Sequence, residues 1–177
     1  MHVRLLTASD AAALRVLRLR ALREHPDAFG SSAEEEEGIS VAAWAERIAG
    51  KGPGTGVVGA FDSSGDGARL VGLVGFVRET RRKLAHKAWI WGMYVAPEAR
   101  GASAGRALFD AALDALRACD GVEIVTLSVV IGNEAARALY ASKGFEPFAL
   151  ERDAMKVHGR YLDEESMALR LRPRASS

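Results

Sequence analysis

From Met93 to Leu108 the chain reads Met-Tyr-Val-Ala-Pro-Glu-Ala-Arg-Gly-Ala-Ser-Ala-Gly-Arg-Ala-Leu, an apolar run that breaks at Pro97 into small residues and resumes with helical spacing. A strand entering a helix through such a turn leaves the first helical amides without intrahelical partners. Gly101, Ala102, Ser103, Ala104 and Gly105 carry little or no side chain. An anion can therefore approach those amides closely, and the positive end of the helix favours it. Arg100 and Arg106 flank the turn and can add charge-assisted bonds to a phosphate. Arg106-Ala107 stand where a nucleotide P-loop needs Lys and then Ser or Thr, so magnesium-nucleotide chemistry lacks its ligands. A dinucleotide fold would place its glycine-rich turn after the first strand of a βαβ unit, whereas this turn follows several strands.

The surrounding pattern supplies those strands. Residues 3–6 form a short apolar run, and Thr7 to Asp10 offer a cap for an Ala/Leu/Arg-rich helix over 11–24, stopped at His25-Pro26. Residues 28–39 read as an exposed loop or helix start, and Ser40 caps a second short helix to residue 48. The period then becomes extended over 56–61 and 69–77, a hairpin around the turn cluster at 62–67, with a third strand over 86–95. An amphipathic helix over 101–118, a strand over 122–131 and a helix over 133–143 follow. Two strands, 145–150 and 165–171, close the chain around a turn at His158-Gly159. The predicted order β-α-α-β-β-β-α-β-α-β-β describes a mixed α/β sheet with helices packed on it. The strands joined by the helix over 101–118 should run parallel.

Composition narrows the functional classes. The 177 residues suit one domain, expected over 1–172, with a loose tail at 173–177. Twenty-four basic against 23 acidic residues leave no overall pull toward nucleic acid, and no apolar run is long enough for a membrane span. Arginines at 15, 18, 20 and 23 and the acids at 34–37 read as solvated faces. A single cysteine, Cys119, permits no internal disulfide, and a reducing cytoplasm is the expected setting.

The turn itself is similar to the phosphate loop of the GNAT superfamily of N-acetyltransferases, Arg/Gln-x-x-Gly-x-Gly/Ala: Arg100 and Gly105 fit, and Ser103 stands where the first glycine is usual. Serine lacks glycine's freedom at positive φ, so either the loop bends differently or the hydroxyl donates to phosphate. The stretch Asn133-Glu-Ala-Ala-Arg-Ala-Leu-Tyr140-Ala-Ser-Lys-Gly-Phe145 resembles the family's Asn-x-x-Ala-x-x-Leu-Tyr-x-x-x-Gly-Phe helix. The element order matches from about residue 3 to 171. The resemblance implies a mostly antiparallel twisted sheet with one splayed parallel pair and helices on both faces. It implies acetyl-CoA as acyl donor, its pantetheine arm on Met93, Tyr94 and Val95 and its pyrophosphate on residues 100–106. It also implies a small amine as acceptor, attacking directly in a ternary complex, and a homodimer as the family's common habit.

Within that frame Asn133 can cap its helix or bond the pantetheine arm. Tyr140 is the candidate general acid for the departing thiolate, against the alternative of an aromatic packed on its helix. The base is open. Many relatives carry a glutamate on the strand before the loop, but Ala88-Trp-Ile-Trp-Gly-Met93 offers none, leaving water, a neutral substrate, Glu79 or Glu34. Trp89 and Trp91 share one side of their strand, as an aromatic wall for an acceptor or as core. The four histidines have no metal-like spacing, and no metal is expected. A non-catalytic acyl-CoA binding module is the alternative to an enzyme.

Overall fold

The computed structural model describes residues 1–49, 52–62, 67–101 and 103–172. The turn at 63–66, Ala102 and the tail from 173 lie outside them. The elements are β1 (His2–Leu5), α1 (Ala11–Glu24), α2 (Ala33–Glu37), α3 (Val41–Ala49), β2 (Thr55–Asp62), β3 (Arg69–Arg78), β4 (Lys87–Val95), α4 (Ala104–Ala118), β5 (Ile124–Val130), α5 (Glu134–Ser142), β6 (Glu146–Val157) and β7 (Arg160–Arg170). The strands form a seven-stranded sheet in the order β1-β2-β3-β4-β5-β7-β6. Every neighbouring pair is antiparallel except β4 and β5, which run parallel around α4. The fold class read from the sequence is the fold observed.

Glycines mark how the helices cover both faces. A Cβ on Gly72 of β3 would meet Leu108 of α4 at 2.8 Å, whereas one on Gly75 would overlap the indole of Trp91 on the other side. An even and an odd position of one strand thus open to opposite layers. On the first face α4 buries Leu108, Phe109, Ala112, Leu113 and Leu116. On the second, α1 buries Leu14, Leu17 and Ala21. Both helices belong to one hydrophobic cluster with the β2–β5 strands, and each leucine so buried contributes about 1.5–3 kcal/mol.

Two features of the elements bear on the site. Of the loop or helix start expected over 28–39, the helix start is what forms: α2 is capped where the Ser32 amide donates to Glu35 and the Glu35 amide donates to the Ser32 hydroxyl at 3.3 Å. The closing strands are far longer than predicted, 12 and 11 residues, and form a hairpin that rises past the end of β5. Their many charged residues have low strand propensity, and cross-strand pairing overrides it.

Candidate active site

The sheet opens where the parallel pair parts. β4 and β5 are in register only at Lys87–Ile124, Ala88–Val125 and Trp89–Thr126, although β4 continues to Val95 and β5 to Val130. A bulge contributes to the divergence: Leu73 pairs with Tyr94 but Gly75 with Trp91, so Gly92 and Met93 together oppose Val74. Gly92 takes φ +68°, a value that a residue with a Cβ reaches only under strain. The edge of β4 beyond Trp89 is therefore left without a strand partner, open to a ligand that pairs with main-chain groups.

The phosphate-loop candidates sit at the end of that edge. α4 makes its first intrahelical bond from the Ala107 amide to the Ser103 carbonyl at 2.9 Å, so the amides of Ala104, Gly105 and Arg106 have no partner within the helix. Ser103 is left-handed, φ 61° and ψ 10°, the conformation expected of the glycine it replaces. The loop does not avoid positive φ at this position: the serine itself takes the left-handed conformation, at about 1–2 kcal/mol for an L-residue. Gly101 also has positive φ. Gly105 lies over Met93 and Val95, whose side-chain ends would stand 3.4 and 3.8 Å from a Cβ there. Arg106 is exposed, and Arg100 folds back, its Nε donating to the Val95 carbonyl at 3.0 Å with a terminal nitrogen 2.9 Å from His25 Nε2.

Ionic contacts fix α1 against this loop. Arg20 grips Glu98 through both terminal nitrogens at 2.7 and 2.9 Å and Glu24 through Nε at 2.7 Å. The buried Tyr94 donates its hydroxyl to Glu24 at 2.6 Å. Burial, followed by that carboxylate, pushes the Tyr94 phenol up to about 12.

Tyr140 is buried, its ring 5.0 Å from Phe109 of α4 and 6.4 Å from Phe145. Burial pushes its phenol up to about 12, so it carries its proton throughout the neutral range. The hydroxyl has no hydrogen-bond partner among the described residues. Asn133 caps α5, its side-chain oxygen accepting from the Ala136 amide at 3.3 Å. The capping role is thus observed, and the side-chain nitrogen stays available. An ion pair of Lys143 with Asp110 ties α5 to α4.

On the α1 side the splay opens into a cavity of about 450 Å³. Its floor is one row of the sheet: Trp89 and Trp91 from β4, Thr126 and Ser128 from β5, Glu164 and Ser166 from β7. The register places Ser128 opposite Ser166 and Val130 opposite Glu164, so these side chains share a face. Phe29 and Phe148 close the sides. Both tryptophans line the cavity, but they differ: Trp89 is 44% exposed, whereas Trp91 lies across Gly75 and packs against the hydrophobic core as well.

Two charge runs read as solvated meet beside this cavity, and that reading needs correction. Arg18 and Glu36 are buried, paired at 3.0 and 2.9 Å through two parallel hydrogen bonds. The third guanidinium nitrogen of Arg18 is buried without a partner and lies beside Gly92. The stripe period of α1 and the capping box of α2 together turn one member of each run inward.

The base candidates fare differently. Glu79 is remote, its amide bonded to Lys87 at the opposite end of β4 and its carboxylate 3.3 Å from Arg81. Glu34 lines an adjoining cavity of about 600 Å³ under the β6–β7 hairpin, not the splay. Glu164, overlooked in the sequence, lines the splay cavity and has a carboxyl raised by burial first and by Glu151 second. Alternation of Glu164, Ser166 and Ala168 was the available signal, but the strand predicted over 165–171 begins at Arg160 and so takes in Glu164. Among the described residues no group of His, Cys, Asp or Glu is arranged to hold a metal, and no helix is long and apolar enough to cross a membrane.

An open strand edge leading to helix amides without intrahelical partners suits a ligand with an amide-bearing arm and an anionic end, with a second cavity at the arm's far end. Comparison with known proteins agrees. Residues 18–145 match the model of the Acetyltransferase (GNAT) family. Mycothiol acetyltransferase of Beutenbergia cavernae is 32% identical over 155 residues, 88% of this chain; the chain spans only 45% of that relative's length. Among solved structures, a GNAT-family acetyltransferase from Streptococcus pneumoniae superposes with TM-score 0.81 at 18% identity, covering 96% of this chain and 98% of its own. yncA of Salmonella typhimurium, solved with its cofactor acetyl-CoA, superposes with TM-score 0.77 at 22% identity over 100% and 97%. These likenesses of shape speak for the fold, while the family match covers most of the sequence, and on that ground the chain belongs to the GNAT acetyltransferase family, whose acyl donor is acetyl-CoA.

Proposed function

We propose that the protein is an acetyl-CoA-dependent N-acetyltransferase acting on a small primary amine by direct attack in a ternary complex, with residues 1–172 as one catalytic domain. One observation carries the reading: the unpaired edge of β4 ends at the partnerless amides of α4, and the buried Tyr140 stands against that same helix.

In this reading the backbone of Met93, Tyr94 and Val95 holds the pantetheine arm, with the free nitrogen of Asn133 beside it. Residues 100–106 hold the pyrophosphate, their amides and the Arg106 guanidinium offsetting its charge. Bound acetyl-CoA supplies the acetyl thioester. The acceptor nitrogen forms a bond to the carbonyl carbon, the carbon–sulfur bond breaks with its electrons on sulfur, and Tyr140 gives that sulfur a proton. A second proton leaves the nitrogen and restores Tyr140 through solvent, so one proton is released for each ammonium acetylated. The absence of a nucleophilic cysteine in the cavity lining favours direct attack over an acyl-enzyme.

The lone Cys119 supports a cytoplasmic setting. The proposal includes a homodimer, for which β6 offers an open edge with Leu150 exposed. Light scattering that reads the mass of one chain removes the dimer. The enzymatic reading is tested by titrating acetyl-CoA calorimetrically and following thiol release with an amine panel. Saturable binding with amine-dependent thiol release is expected; binding without release reduces the protein to a CoA-binding module, and no binding ends the reading.

A further inference from the structure

We infer that the splay cavity takes a cationic amine carried on an apolar, flat body without an adjoining carboxylate, and that Glu164 both binds its ammonium and removes its proton. This deepens the proposed acetyl transfer and rests on it.

The lining divides by charge. Among the described residues that line it, Arg18 and Glu164 are the ionisable ones. Arg18 is already gripped by both oxygens of Glu36, so the pair is neutral as a whole. Glu164 has no cation beside it among the described residues. Its neighbour in sequence, Glu165, is held by Arg137 of α5 at 2.8 Å, and Asp163 is held by Arg152 at 2.8 Å. The residue opposite Glu164 on β6 is another carboxylate, Glu151. A half-buried carboxylate facing a like charge is costly, and a bound cation removes that cost. The remaining walls select what accompanies the cation. Phe29, Trp89, Trp91 and Phe148 present ring surface, which attracts both ammonium groups and flat apolar bodies.

The carboxylate also has the right chemistry for the step that β4 leaves unassigned. An alkyl ammonium is protonated at neutral pH and cannot attack until it loses a proton. A carboxyl raised by burial and by Glu151 accepts that proton more readily than an exposed one. The proton passes from nitrogen to the Glu164 carboxylate, the nitrogen keeps the electron pair, and the neutral amine is ready to attack.

The test uses the intact chain and a matched pair of probes, phenethylamine and phenylalanine, which differ only in the carboxylate next to the amine. Binding is read from the fluorescence of Trp89 and Trp91, with and without saturating CoA, in wild type and Glu164→Gln, and acetyl-CoA affinity is measured calorimetrically on the same samples. Phenethylamine is expected to bind at least 10-fold more tightly than phenylalanine, to lose that advantage in Glu164→Gln, and to be acetylated at least 100-fold more slowly by the variant. Acetyl-CoA affinity should be unchanged. Equal binding of both probes, or an undiminished phenethylamine advantage in the variant, overturns the inference. A preference for phenylalanine also overturns it and hands recognition to the unpartnered nitrogen of Arg18. Loss of acetyl-CoA binding in wild type would instead strike the proposed function, because the amine arm is read independently.

Discussion

The two ends of the splay are made of different material. At the proposed donor end the groups that matter are main-chain amides and an unpaired strand edge, all within residues 90–106. At the proposed acceptor end they are side chains from α1, the segment after it, β4, β5, β6 and β7. A backbone site needs only small residues and the right turn, so it tolerates substitution and leaves a compact signature. A side-chain site depends on tertiary packing, and a single distant change alters it.

The sharpest break in that comparison is Glu36→Gln. It leaves the Arg18 charge buried and unpaired, which should cost about 3–5 kcal/mol of stability in denaturant unfolding. In the fraction that stays folded, amine recognition should suffer while acetyl-CoA binding persists. Coupled loss of both would show that the two ends are not separable.

Tyr140→Phe acts between the ends. It should retain acetyl-CoA affinity and lose about 100-fold in turnover where thiolate departure limits the rate; unchanged turnover removes Tyr140 from the mechanism. The pH dependence has a definite sign. The folded-state pKa is raised to about 12 above an unfolded value near 10, so the folded chain holds this proton more tightly. That contribution to stability is complete below about pH 10 and is lost as pH rises toward 12. The stability of wild type relative to Tyr140→Phe, which has no such proton, should therefore fall over this window in thermal unfolding.

The mildest change is Ser103→Gly. Relief of the left-handed serine, partly offset by the freer unfolded chain, should raise stability by about 1 kcal/mol or less. Acetyl-CoA affinity should hold or improve. A loss of affinity would mean that the Ser103 hydroxyl bonds the phosphate, moving part of the donor end into the side-chain class.

Legibility followed the same division. The strand–turn–helix around residues 93–108, the α5 helix and the alternation of elements could be read because each lies in a contiguous stretch with its own composition. The significance of Glu164 could not, because it comes from facing Val130 and Glu151 across strand pairings that form only in the folded sheet. Arg18 and Glu36 look like members of two surface runs until α1 and α2 bring them together. The fold was legible as an order of periods; the acceptor pocket depended on register.

α1 belongs to both halves. Arg18 faces the splay cavity, and two residues on, Arg20 holds Glu98 at the approach to the turn that opens α4. Under the proposed function this helix is a tie-rod: a small rotation that admits a bulkier acceptor would pull on the proposed seat of the nucleotide tail. Engineering one pocket without retuning the other should therefore start from the sheet-borne walls, such as Phe148 and Ser166, and leave the helix alone.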